Sequence, residues 1–379
     1  MNENIKYKIL VFIRYLGDSF FYPFFALYLK SKGLIEDQVG FILSISPLVG
    51  ILINPVYSSI CKNFNITKSV LAIISILEAI LIILITLSSN FILISVLTVI
   101  MAIFGSTHYG LFDSVLAIYS KNQNINYSSI RIYGSMAYIF GTTLGGSIID
   151  KTSFLLCFSI CGILFILSGV FYFLLNKQVS ESIVEEVIDK KSVIKNKRLW
   201  FFIIIYVLIM GPLVCGDHFF STYLESRDLG ATYYGLVYSY YVIVEVVLLF
   251  VFNKYSDKIN NNLLLIIASL CVFIRLMVNG LYLPVPIVCI LSALRGISYA
   301  CLLHVAFKKV VDIVGSNNGT FGIMLMTLFQ SIFVTIFNNV NGNIITNTSS
   351  YCYFYLLMAA FSFVGIIFTL INYKKSQIK

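Results

Sequence analysis

A chain of 379 residues that is 59% hydrophobic and only 11% charged has too little polar surface to close a soluble globule, so lipid must cover the remainder. Its formal charge of +9 does not make it a nucleic-acid binder, because Lys and Arg fall in short segments between apolar runs and not on one solvated face. The eight cysteines, at 61, 157, 161, 215, 271, 289, 301 and 352, have neither CxxC nor zinc-ligand spacing and read as small apolar fillers, with no metal expected.

The chain opens MNENIKYK, and its first apolar run, 8–29, encloses Arg14 and Asp18; it reads as a retained first span and not as a cleavable signal peptide. Crossing ~30 Å of hydrocarbon takes roughly 20 helical residues. Runs of that length are predicted at 8–29, 38–60, 69–88, 91–118, 129–149 and 153–175. A polar segment, 176–198, follows, and six more runs lie at 199–222, 232–252, 262–282, 285–306, 318–341 and 351–372. The expected fold is all-α and integral to the membrane, with twelve transmembrane helices. Two six-helix bundles, 1–175 and 199–379, are joined by a linker over 176–198.

Basic residues accumulate on the cytoplasmic side. With the N-terminus inside, Lys6, Lys8, Lys62, Lys68, Lys121, the run from Lys190 to Arg198, Lys254, Lys308, Lys309 and Lys374 all fall inside. Only Lys30, Lys32, Lys151 and Arg227 fall outside, so both termini and the linker are expected in the cytoplasm of a cell with this protein in its inner membrane. The halves also echo each other: FFALYLKSKGLIEDQVG from Phe24 aligns with FFSTYLESRDLGATYYG from Phe219, as parallel six-helix repeats would.

Ionisable side chains at bilayer depth cost roughly 2.5–3.5 kcal/mol each and persist where they face a polar interior. The predicted spans hold Arg14, Arg131, Arg275 and Arg295 against Asp18, Glu78, Asp113, Asp217 and Glu245, with His108, His218 and His304. This near-balance fits a water-accessible cavity lined by partly paired charges, where a solute can bind. Arg14 and Asp18, four apart on one helix face, can simply neutralise each other, and Glu78 stands alone in ILEAILIILI. Asp113, Arg131, Glu245 and Arg275 lie deeper in apolar surroundings and are the stronger solute candidates. Each histidine can be an ordinary hydrogen-bonded core residue; His304, on the span of Arg295, and His218, beside Asp217, are the proton-relay candidates. Gly141, Gly145 and Gly146 in FGTTLGG suit close helix packing, and Pro23, Pro47, Pro55 and Pro212 suit bends within spans. HExxH, GxSxG and a phosphate loop are all missing, so neither an enzyme nor a cofactor is expected.

The passage SSIRIYGSMAYIFGTTLGG, following Asp113 in GLFDSVL, resembles the major facilitator superfamily, in the proton-symporter branch of lactose, nucleoside and phenylpropionate permeases. YPFFALYLKSKGL, GLVYSYYVIVEVVLLF, NKYSDK and LRGISYACLLH add to it along the chain. The resemblance implies that Asp113 and Arg131 hold the solute, with Tyr138 in the place of a sugar-stacking tryptophan. It implies that Glu245 joins solute and proton handling and that Arg275 tunes the proton site. Arg295 stands at the family's histidine and Ser298 at its proton-carrying glutamate, so coupling would move to Glu245, with Asp113 or Asp217 behind it. CKNFN replaces the superfamily's glycine and aspartate loop, whereas NKYSDK keeps Asp257. The function so implied is secondary active transport, a proton-coupled symporter importing a sugar, nucleoside or similar solute as a monomer by alternating access. A proton-coupled efflux antiporter and a transport-inactive sensor are the rivals.

Overall fold

The computed structural model describes residues 3–61, 63–176, 178, 190–254 and 260–377, and all regular structure among them is helical. Most of the expected linker and the NKYSDK loop with Asp257 lie outside the described residues. Among them, eleven helices, counting broken ones once, are long and apolar enough to cross a membrane. A twelfth, Ser128–Lys151, is 24 residues long, but glycine, serine and threonine stand where the others carry aliphatic residues. Large apolar side chains such as Leu52 and Ile92, each 69% exposed, point outwards as lipid-facing residues do.

Several spans depart from a single uninterrupted rod. The first runs Glu3–Phe21, breaks into a short 3-10 turn at Tyr22–Phe24 where Pro23 sits, and resumes at Phe25–Ser31. The fourth is Phe91–Gly105 and His108–Asn122, interrupted by Ser106 and Thr107. The tenth is Val285–Leu291 and Ala293–Val314. The eleventh, Ser316–Thr348, outlasts its apolar run because the asparagine-rich end still closes its own helical hydrogen bonds. Side-chain caps fix other starts: Asn63, Asn90, Ser153, Asn196 and Asn260 each accept from backbone amides of the first helical turn.

The chain divides into two compact units, Met1–Val184 with Leu224–Ser239, and Glu185–Tyr223 with Tyr240–Lys379. In the first, the opening span packs on the fifth (Ser128–Lys151) and sixth (Phe154–Leu174), and the third (Phe64–Leu87) packs on the sixth. In the second, the seventh (Lys197–His218) packs on the eleventh and twelfth (Cys352–Gln377), and the ninth (Asn261–Gly280) packs on the twelfth. The same pattern therefore recurs with the spans renumbered by six. Gly141 of the fifth span lets the first approach closely, since a Cβ there would collide with Ser19.

The internal repeat has a local physical cause. After Ser31 the Leu34 amide donates back to the Leu29 carbonyl, with Gly33 at φ 82°. After Glu225 the Leu229 amide donates to the Leu224 carbonyl, with Asp228 at φ 61°. Both are helix-ending turns through a left-handed residue, which glycine adopts freely and aspartate tolerates. All eight cysteines are free thiols.

Candidate functional site

Among the described residues, charged side chains at membrane depth gather in three clusters, two in the first unit and one in the second. After the break at Gly105 the fourth span restarts at His108 and carries Asp113 between its first and second turns, while Arg131 lies one turn into the fifth span. Arg131 Nε stands 3.5 Å from Asp113 Oδ1, with 34% and 43% of their side chains exposed. The Tyr127 hydroxyl donates to the same carboxylate oxygen at 2.9 Å. Burial, reinforced by the neighbouring Asp113 charge, holds the Tyr127 phenol well above its ordinary range, so it serves as a donor. Arg131 lies over the Tyr15 ring, 4.1 Å from its centroid. Tyr138, two turns along the fifth span, has its hydroxyl 3.4 Å from that of Tyr109 and stacks on Tyr238 with centroids 6.1 Å apart. An open ion pair beside partly buried aromatic rings can receive hydroxyls at one end and a ring at the other.

A second cluster lies closed in the same unit. Arg14 Nη1 donates to Glu78 Oε2 at 2.7 Å, and its Nη2 lies 3.2 Å from Asp18 Oδ1; all three side chains are 0% exposed. The guanidinium also rests on the Phe165 ring at 3.8 Å. His108 Nδ1 is 3.6 Å from Glu78, and its Nε2 is 3.1 Å from the Tyr172 hydroxyl. Glu78 does not stand alone, as the apolar run around it implies: the third span meets the first, and Gly105 leaves room that a Cβ would deny to the Glu78 carboxylate. A glutamate held in so apolar a run was the only trace of this partner in the sequence.

The third cluster belongs to the second unit. Asp217, at the end of the seventh span, accepts from Arg275 at 2.6 Å and from Arg295 at 3.0 Å, and Arg295 also donates to Glu245 at 2.8 Å. The two carboxylates and two guanidiniums balance. Glu245 thus pairs with Arg295, and Arg275 pairs with Asp217. Arg295 is held between the Tyr241 and Tyr299 rings at 4.6 and 4.4 Å, and Arg275 lies 5.0 Å from the Phe220 centroid. Ser298 is buried one turn on, its hydroxyl donating to the Arg295 carbonyl. His304 is not brought to this network: nine residues past Arg295 on one helix, it lies ~13 Å further along the axis. Its ring rests on Phe252, while His218 bonds the Asn338 amide.

The two buried networks mirror each other with inverted sign. An arginine on the first span meets a glutamate on the third, and an aspartate on the seventh meets an arginine on the ninth. Paired networks of this kind inside six-helix repeats narrow the field to membrane carriers built by duplication. A model of the MFS_1-like family matches residues 4–356. The chain belongs to the MFS_1-like family. This MFS_1-like chain is 24% identical over 373 residues to the uncharacterized transporter YwbF of Bacillus subtilis (strain 168), covering 96% of this chain and 92% of that one. It is 23% identical over 329 residues to the sucrose permease of Escherichia coli, covering 81% and 77%. Among solved structures, the nucleoside transporter NupG superposes with a TM-score of 0.82 at 17% identity, over 99% of this chain and 100% of that one, which shows a shared fold. The MFS_1-like chain is a multi-pass membrane transporter of the major facilitator kind, and not an enzyme.

Proposed function

We propose that this protein imports a small, neutral, hydroxylated solute, a sugar or a nucleoside, together with protons across the cytoplasmic membrane by alternating access. Residues 1–175 and 199–379 would act as the two six-span halves of a monomer, with both termini and the 176–198 linker in the cytoplasm. The observation that carries the reading is the contrast between ion pairs in the first unit. Arg14, Asp18 and Glu78 are closed at 0% exposure, whereas Asp113 and Arg131 are 43% and 34% exposed and 3.5 Å apart. Two charges held loosely and only partly buried offer a solute hydroxyl both an acceptor and a donor. In this account Asp113 accepts from the solute, Arg131 donates to it and Tyr138 contacts its ring. In the second unit Glu245 and its bonded neighbours Arg295, Asp217 and Arg275 take part in proton handling, and His304 stands apart from them on the same span as Arg295. The sugar and nucleoside carried by the relatives' own names favour that solute class.

Binding of a panel of sugars, nucleosides and aromatic acids to the purified protein, measured by the quenching of tyrosine and tryptophan fluorescence, tests the site. One neutral, hydroxylated ligand should saturate the wild type and lose at least tenfold in affinity with Asp113→Asn. Binding that is unchanged by Asp113→Asn, or confined to anionic aromatic acids, would contradict the assignment.

A further inference from the structure

Among the described residues, the first unit holds one acid more than it holds base at membrane depth. Asp113 and Arg131 answer each other at the open site, which leaves Arg14 facing both Asp18 and Glu78 where none of the three is exposed. An uncompensated charge is least tolerable where water is excluded, and a carboxylate relieves it by taking up a proton. The second unit carries no such excess, since Asp217 and Glu245 are matched by Arg275 and Arg295.

Among the described residues, the groups around the cluster supply no second cation. His108 Nδ1, at 3.6 Å from Glu78, lies beyond hydrogen-bond reach, whereas an imidazolium would close on the carboxylate; its Nε2 is taken up with Tyr172. Tyr22 of the first span donates to Glu78 at 3.5 Å, and Tyr15 of the first, Tyr57 of the second, Tyr109 of the fourth and Cys161 of the sixth also stand near the cluster; a phenol or a thiol carries no positive charge in either protonation state.

We propose that the Arg14–Asp18–Glu78 cluster holds one exchangeable proton, seated on Asp18, and that this proton is coupled to solute movement alongside those handled by the Glu245 network. Glu78 takes the short bond from Arg14, as an ionised carboxylate does. Asp18 lies further from the guanidinium, and neither of its buried oxygens makes a hydrogen bond of ordinary geometry. The Tyr109 hydroxyl faces Asp18 and also stands 3.4 Å from the Tyr138 hydroxyl. A protonated Asp18 donates to Tyr109, Tyr109 to Tyr138, and the Tyr138 proton is then free for the solute. An ionised Asp18 accepts from Tyr109, which accepts from Tyr138, so that Tyr138 meets the solute as an acceptor. Proton occupancy at Asp18 thereby changes what Tyr138 offers, which rests on the reading above that the solute binds beside Tyr138.

Infrared spectroscopy of the purified, solute-free protein in nanodiscs at neutral pH tests this through the carbonyl stretch of a buried carboxylic acid. The wild type should show the band, carboxyl-labelled aspartate should shift it, labelled glutamate should not, and Asp18→Asn should remove it while Glu245→Gln leaves it. Absence of the band in wild type, a shift with labelled glutamate instead, or survival in Asp18→Asn would overturn the proposal. The labelling arm needs no variant to fold. Because no solute is present, a correct band in a protein that moves no solute would sink the transport reading alone.

Discussion

Replacing Asp217 with asparagine should destabilise the protein far more than the same change at Asp113. Asp217 receives two guanidiniums, at 2.6 and 3.0 Å, and Arg275 is only 2% exposed, so the variant leaves a buried cation without its counter-ion. Breaking a buried ion pair from one side costs about 3–5 kcal/mol. Asp217 is itself 18% exposed and Arg295 keeps Glu245 at 2.8 Å, which places the expected loss near the lower end, ~3 kcal/mol. Adding Arg275→Gln restores the balance of charge and should recover about 2 kcal/mol of that loss as a coupling energy. Asp113→Asn, in a pair 34% and 43% exposed, should cost under ~1 kcal/mol. Reversible unfolding in mixed micelles by denaturing detergent, followed by circular dichroism, reads all four. If Asp217→Asn unfolds with the wild type, or the double variant falls below the single one, the argument from charge balance fails.

Gly141→Val should separate the first and fifth spans at Ser19 and lower unfolding free energy by about 1–3 kcal/mol in the same assay. Gly33→Ala should cost about 1 kcal/mol, because its φ of 82° strains any side chain, whereas Asp228→Gly at φ 61° in the matching turn should be neutral or stabilising. Asn90→Ala removes the acceptor for the Ile92 and Leu93 amides and should cost about 1 kcal/mol. Tyr138→Ala should weaken solute binding about tenfold, read by the same fluorescence titration, as loss of one aromatic contact predicts.

Apolar runs made the spans legible, since burial in lipid leaves little freedom in length or composition, and Pro23 marked the break in the first. Other breaks were hidden: Ser106 and Thr107 interrupt the fourth span although neither is a strong helix breaker, and the helix restarts at His108, which is buried beside Glu78. The charged residues themselves were all visible. Their partners were not, because helical periodicity orders the residues on one helix but does not say which helices touch. Arg14 and Asp18 looked self-sufficient at a spacing of four until the third span placed Glu78 on the same guanidinium. Arg295 occupies a position where the resemblance implies a histidine, and it takes the bond to Glu245 that the resemblance led one to expect of Arg275. The repeat was visible as a string of identities, and its cause, a shared left-handed turn at Gly33 and Asp228, needed backbone angles.

Uptake of radiolabelled sugars and nucleosides into proteoliposomes holding the purified protein, under an imposed inside-alkaline pH gradient, decides whether protons drive solute inward. The wild type should concentrate one such solute above its external level, collapse of the gradient should abolish the accumulation, and Asp113→Asn should hold it at the level of empty vesicles. A folded wild-type protein that accumulates none of them, or that expels solute under that gradient, would contradict the account.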